Sequence, residues 1–193
     1  TSTLDGNSAN RAGGAIELIN GTLTIIDSNL TNNDVDGTAG MPNPGNGGAL
    51  HISGIATTTI TGGIISNNDA GREGGGLWNQ TGSTMTINNL TLDANTASGV
   101  AINQGGGAIF NNGGTLNVNN STLSNNLVDG ALGNGGAIHV KTGTANVMLS
   151  TISGNSSAND GGAIYNNDML NLNAVTVANN SATANGGGIA NNS

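Results

Sequence analysis

Apolar residues recur in this chain in three short alternating stretches, and the three stretches themselves recur. The first is a Gly-Gly-Ala-Ile unit, with copies beginning at Gly13, Gly47, Gly74, Gly106, Gly135, Gly161 and Gly186. The second is a Thr-Leu-Thr-Ile segment whose apolar positions are Leu23 and Ile25, Thr58 and Ile60, Met85 and Ile87, Leu116 and Val118, Ala145 and Val147, and Leu170 and Leu172. The third ends in an aliphatic residue followed three places later by Asn. Its aliphatic column is Leu4, Leu30, Ile65, Leu92, Leu123, Ile152 and Val177. The Asn column is Asn7, Asn33, Asn68, Asn95, Asn126, Asn155 and Asn180. Alternation with a period of two, bounded by Gly, Asn and Asp, predicts strands. The stretches are too short and too rich in Gly and Asn for helices. Three short strands per repeat, with like residues stacked, predict an all-β parallel β-helix (a β-solenoid) of about seven coils. At the ordinary interstrand spacing of about 4.8 Å it forms a rod roughly 30 Å long. A single coil cannot bury its apolar face alone, so stability comes from stacking.

Spacing locates the variable part. From each Gly pair to its closing Asn the distance is 19 to 21 residues, whereas from that Asn to the next Gly pair it runs from 6 to 14. Residues 1–193 read as one solenoid domain with loop insertions at 34–46, 96–105 and 127–134. Loops on one side of a solenoid are often its binding face; drift in tolerant turns gives the same pattern.

Composition sharpens the picture. Gly is 34 of 193 residues, aromatics are 2% and charged residues 7%, against typical values of roughly 7% Gly and roughly 25% charged. Recurring apolar positions and low charge argue against disorder. The net charge of −8 rests on only three basic residues, Arg11, Arg72 and Lys141, which argues against nucleic-acid binding. No apolar run is long enough to span a bilayer, and no signal peptide is visible. Without Cys there are no disulfides. The repeat pattern is already under way at Thr1 and breaks off within a copy at Ser193. The expectation is a segment of a longer chain, or a subunit stacking end to end on other copies of itself into a filament.

The paired signature of Gly-Gly-Ala-Ile and aliphatic-x-x-Asn resembles the repeats of chlamydial polymorphic outer-membrane proteins and related bacterial surface proteins. The resemblance covers nearly the whole chain, with one departure: that family favours Phe before x-x-Asn, where this chain has Leu, Ile or Val. It implies a right-handed parallel β-helix on an exported, often adhesive surface protein, and it supplies no catalytic residues.

The repeated polar positions read as scaffold. The second Gly of each pair (Gly14, Gly48, Gly75, Gly107, Gly136, Gly162 and Gly187) is expected where the coil turns sharply into its first strand, using positive φ and permitting close approach of coils. The Asn column is expected to bond backbone and to stack amide on amide.

Three features are candidates for function. The residue after the Ile of each Gly-Gly-Ala-Ile unit forms the column Glu17, His51, Trp78, Phe110, His139, Tyr165 and Ala190, which collects every aromatic side chain and both histidines. If Ile points inward, alternation points this column outward. His51, Trp78, Phe110, His139 and Tyr165 are therefore a candidate contact surface for sugar or for another rod; the competing reading is that they shield the sheet. The two histidines stand three coils apart, too far to share a metal. A second feature is a Thr array, Thr22, Thr57, Thr84, Thr115 and Thr144, beside Thr24, Thr59 and Thr86, which resembles the face of ice-binding β-solenoids. Thr is also simply a good exposed strand residue. Third, the carboxylates are scattered, with Asp34, Asp36 and Asp129 on the insertion loops. Parallel β-helix lyases and hydrolases need clustered carboxylates, or Ca²⁺ with basic residues, so no enzyme and no cofactor are expected. The expectation is a non-catalytic structural or adhesive extracellular rod whose partners are other copies of itself, a surface glycan or a host or cell-surface protein. The alternatives are an ice-binding solenoid and a polysaccharide-binding or -cleaving one.

Overall fold

The computed structural model describes residues 1–36 and 45–193. Among them there are strands and turns and no helix. The strands stack in parallel as a β-solenoid of about six turns rather than seven: the seventh Gly pair contributes only the strand Ile189–Asn191, and the chain before Asn7 only Thr3–Asp5.

The register follows the columns of the sequence. Ile16 pairs with Leu50, Leu50 with Leu77, Leu77 with Ile109, Ile109 with Ile138, Ile138 with Ile164 and Ile164 with Ile189. The aliphatic column before the closing Asn pairs throughout, from Leu4 with Leu30 to Ile152 with Val177. The middle column does the same from Ile25 with Ile60 to Val147 with Leu172. These three ladders converge on one interior, where Leu30, Leu50, Ile60, Ile65, Leu77, Ile87, Leu92 and Ile109 are fully buried. Each such side chain contributes about 1.5–3 kcal/mol relative to exposure.

Each coil also carries a fourth, very short strand, which the alternation did not reveal. Asp34–Val35, Asp69–Ala70, Thr96–Ala97, Leu127–Val128, Ser156–Ser157 and Ser181–Ala182 form a second, six-stranded sheet. Its inward residues are small, and four of them, Val35, Ala70, Ala97 and Val128, are buried apolar residues. Two residues are too few for a period of two to show. The three predicted insertions therefore begin inside paired strand, which ends at Val35, Ala97 and Val128. Within the first of them, residues 37–44 lie outside the described residues.

Three left-handed corners bend each coil. One is the first Gly of each pair, with φ from +62° to +70°. The second Gly has no positive φ. Its role is close approach: a Cβ on Gly14, Gly48, Gly75, Gly107, Gly136 or Gly162 would collide with the carbonyl oxygen of the corresponding Gly in the next coil. The expectation that the second Gly uses positive φ is thus corrected, and the two glycines divide the work. Another corner is the residue before each closing Asn: Gly6, Asn32, Asn67, Ala94, Asn125, Gly154 and Asn179. The last follows the middle segment at Asp27, Gly62, Asn89, Asn120, Leu149 and Ala174. Gly and Asn tolerate this backbone region best.

The closing Asn column is an amide ladder, buried from Asn33 to Asn155. The Nδ2 of each Asn donates to the Oδ1 of the next: Asn7 to Asn33, Asn33 to Asn68, Asn68 to Asn95, Asn95 to Asn126, Asn126 to Asn155 and Asn155 to Asn180, all at 2.8–2.9 Å. That same Oδ1 also accepts the backbone N–H of the preceding Asn. From Asn33 on, the second Nδ2 proton goes to the carbonyl of the aliphatic residue one coil back, as from Asn95 to Ile65. Among the described residues, the expected bond from the side chain to its own coil appears at Asn155 and Asn180.

Candidate functional site

The aromatic column is in register and not on the surface. Glu17 pairs with His51, His51 with Trp78, Trp78 with Phe110, Phe110 with His139 and His139 with Tyr165. The rings stack continuously: His51 on Trp78 at 4.3 Å between centroids, Trp78 on Phe110 at 6.3 Å, Phe110 on His139 at 4.8 Å and His139 on Tyr165 at 5.1 Å. Yet His51, Trp78 and Tyr165 are each 6% exposed, and Phe110 and His139 are 0% exposed. The expected exposed stripe is therefore a covered spine.

The cover is the chain just before each Gly pair. Ala12, Asn46, Glu73, Gly105 and Asn134 pair with one another in parallel, forming a further ladder. The left-handed first Gly doubles the chain back, so this ladder lies over the outward face of the first strand. A Cβ on Gly47 would stand 2.9 Å from the His51 Cβ, and one on Gly74 would stand 3.3 Å from the Phe110 Cβ. The Trp78 indole donates to the Glu73 carboxylate at 3.0 Å, and the His139 ring lies 3.1 Å, through Nδ1, from the Gln104 carbonyl. The carbonyl can only accept, so Nδ1 carries the proton. Burial pushes His139 down to about 3, and the Lys141 charge adds to that. The imidazole is neutral at ordinary pH.

What does open to solvent beside this spine is a cleft of about 390 Å³. Ala12, Asn46 and Glu73 of the covering ladder line it, with Arg11 and Arg72 immediately before Ala12 and Glu73. So do Ser53, Gln80, Asn112 and Lys141, from the column three residues past the Ile of each Gly-Gly-Ala-Ile unit. His51 and Trp78 also line it, as does Asn103 from an insertion loop. All three basic residues of the chain are here, and only one of its eleven carboxylates is among the lining residues, Glu73. Burial raises Glu73 above its ordinary value, against the Trp78 hydrogen bond and the charges of Lys141 and Arg72. Burial would raise Glu17 too, but hydrogen bonds from His51 and Ser53 and the charges of His51 and Arg11 leave it below its usual value. Its carboxylate lies 2.9 Å from the His51 Nδ1.

This convergence was missed by reading the basic residues one at a time. Arg11 and Arg72 occupy the same position, two residues before a Gly pair. A column alignment extended to the charged residues would have set them on the same edge of the rod.

The Thr array stacks as expected, Thr22, Thr57, Thr84, Thr115 and Thr144 being successive partners. Its companion column passes from Thr86 into an amide ladder: Asn117 donates to Thr86 at 3.3 Å, Asn146 to Asn117 at 2.9 Å and Asn171 to Asn146 at 2.8 Å. On the fourth strand Asp34 stacks on Asp69. Asp69 is pushed up to about 6 by burial first and then by Asp34, Asp129 and Asp36. No group of three or more His, Asp or Glu placed to hold a metal ion occurs among the described residues, and no helix among them is long and apolar enough to cross a membrane.

Fold and site together define a repeat scaffold: a parallel β-solenoid with two buried polar or aromatic spines and one cation-lined cleft. A family model for the Chlamydia polymorphic membrane protein repeat matches residues 150–167. That span contains one complete signature, from Ile152 and Asn155 through Gly161-Gly162-Ala163-Ile164, and it fits a β-helix repeat of that type. Neither a curated protein nor a solved structure matches the chain.

Proposed function

We propose that the chain is the non-catalytic, adhesive rod of a surface-displayed protein, and that it makes contact through the cleft rather than through the aromatic column. The observation that carries this reading is the gathering of Arg11, Arg72 and Lys141 on one cleft of a chain whose net charge is −8. Cell-surface display is supported by the match to the polymorphic membrane protein repeat. A contact role is supported by shape: a cleft with a few convergent polar groups on a rigid scaffold is the usual form of a binding site. A non-catalytic role is supported by the lining, which holds one carboxylate, Glu73, where glycoside hydrolysis ordinarily uses a pair.

The test is attachment of the labelled protein to a panel of immobilised surface glycans and cell surfaces. Saturable attachment that is lost in the double variant Arg72→Gln/Lys141→Gln, with no release of cleaved product, is the expected result. No attachment to any member of the panel would leave a purely structural rod and overturn the adhesive reading, and product release would overturn the non-catalytic one.

A further inference from the structure

The composition of the cleft points to one class of ligand. Its walls are almost entirely polar: the two guanidinium groups of Arg11 and Arg72, the Lys141 ammonium, the amides of Asn46, Gln80, Asn103 and Asn112, the Ser53 hydroxyl, the His51 ring and one carboxylate, Glu73, one oxygen of which is held by the Trp78 indole. Guanidinium groups bind planar anions through paired hydrogen bonds. Side-chain amides offer both donors and acceptors to neutral hydroxyls. A peptide ligand would call for apolar sockets alternating with backbone partners, and this lining has none: Trp78 is occupied by Glu73 and His51 and is nearly covered. The cleft also spans successive coils, since Ser53, Gln80, Asn112 and Lys141 belong to neighbouring rungs. It therefore suits an elongated, hydroxyl-rich, negatively charged ligand.

We propose that the cleft binds an acidic oligosaccharide, with Arg11, Arg72 and Lys141 holding its anionic groups and the amides of Asn46, Gln80 and Asn112 its hydroxyls. This deepens the adhesive reading and rests on it for the choice of a glycan over a free anion. Carboxylated and sulfated sugars share the required chemistry. The net negative charge of the rest of the rod repels a polyanion at long range, so attraction is confined to the cleft.

The experiment is calorimetric titration of the purified chain with three probes: an oligogalacturonate, a sulfated heparin-type oligosaccharide and a neutral malto-oligosaccharide. Poly-glutamate serves as the peptide control. The expected result is binding of at least one acidic sugar and not of the malto-oligosaccharide. Arg72→Gln and Lys141→Gln each weaken it about tenfold, the loss of one charge-assisted hydrogen bond. Arg11→Gln is the companion variant, because Arg11 is exposed and its substitution is expected to leave the melting temperature unchanged. Which acidic sugar binds more tightly identifies the anionic group. The proposal is overturned if neither acidic sugar binds, if all three variants bind as the parent does while melting at the same temperature, or if poly-glutamate binds as tightly. Should the chain attach to cells while ignoring both acidic sugars, the proposal falls and the adhesive reading stands.

Discussion

Asn95 shows how one side chain joins three coils. Its Oδ1 accepts the Asn68 backbone N–H and the Asn68 amide, and its Nδ2 donates to Asn126 and to the Ile65 carbonyl. Truncation would strand several buried polar groups at once, each costing about 1–3 kcal/mol when left unpaired. Asn95→Ala is expected to lower stability by about 3 kcal/mol in urea unfolding, and a change under about 1 kcal/mol would show that the ladder is passive. The opposite sign is expected at Thr58. It fills a core position between Leu23 and Met85, is fully buried, and its hydroxyl has no hydrogen-bond partner among the described residues. Thr58→Val removes that burden and should stabilise the chain by about 1 kcal/mol, read as a rise in the unfolding midpoint. Roles of this kind were legible in the sequence, because a column that repeats seven times declares its position in the coil. The partner atoms were not: the spacing of Asn residues identifies a stacked column and leaves open which carbonyl each amide reaches.

At the scale of the element, the first strand was predicted correctly and its outer face was not. Alternation assigns Ile109 to one side of the strand and Phe110 to the other. It carries no information about what lies beyond the outer side. The covering ladder of Ala12, Asn46, Glu73, Gly105 and Asn134 has no shared chemistry and no apolar periodicity, so nothing in its composition announces it. The fourth strand escaped for a related reason, being two residues long in every coil. The buried spine has a consequence for pH. His139 is held neutral in the folded chain, with its pKa pushed down to about 3, while in the unfolded chain it takes up a proton near pH 6.5. Between these values the unfolded state binds more protons. Stability from this residue is thus complete above about pH 6.5 and declines as pH falls towards 3, by up to about 1.4 kcal/mol per pH unit. Asp69 acts in the opposite sense: its pKa is raised to about 6, by desolvation first and then by Asp34, Asp129 and Asp36, so its ionisation destabilises the fold as pH rises from about 4 to 6. Although neighbouring parts of the chain desolvate some of the carboxylate, the residue as a whole is exposed, and solvent screening makes it the smaller effect. Unfolding midpoints measured from pH 7 to pH 4 should therefore fall, and His139→Phe should flatten the decline. An unchanged slope in that variant would remove His139 as its cause.

The whole molecule is a scaffold in which nearly every regular position is spent on stacking. Four kinds of ladder run along the rod: aliphatic, amide, aromatic and threonine. The Gly pairs set its corners and the spacing of its coils, and the spacing is tight enough that most second glycines have no room for a side chain. What breaks the repeat among the described residues is the loops after Ala97 and Val128 and the scattered charges. Those charges are few, and the fold brings the three positive ones to one cleft from three separate parts of the sequence. Fold class, register and the interior were readable from the chain because each coil repeats the same information. The cleft was not, because it is made by single residues that occur once each and meet only after the coils stack.

Whether the aromatic column is a covered spine or an exposed stripe can be read directly from the single tryptophan of the chain, Trp78, which stands in that column. Buried between His51, Phe110 and the Glu73 carboxylate, it should emit well to the blue of tryptophan in water. Acrylamide should quench it far less in the folded chain than after unfolding in guanidinium. Emission at the wavelength of free tryptophan, with quenching equal in the folded and unfolded chain, would place the column on the surface and contradict the account.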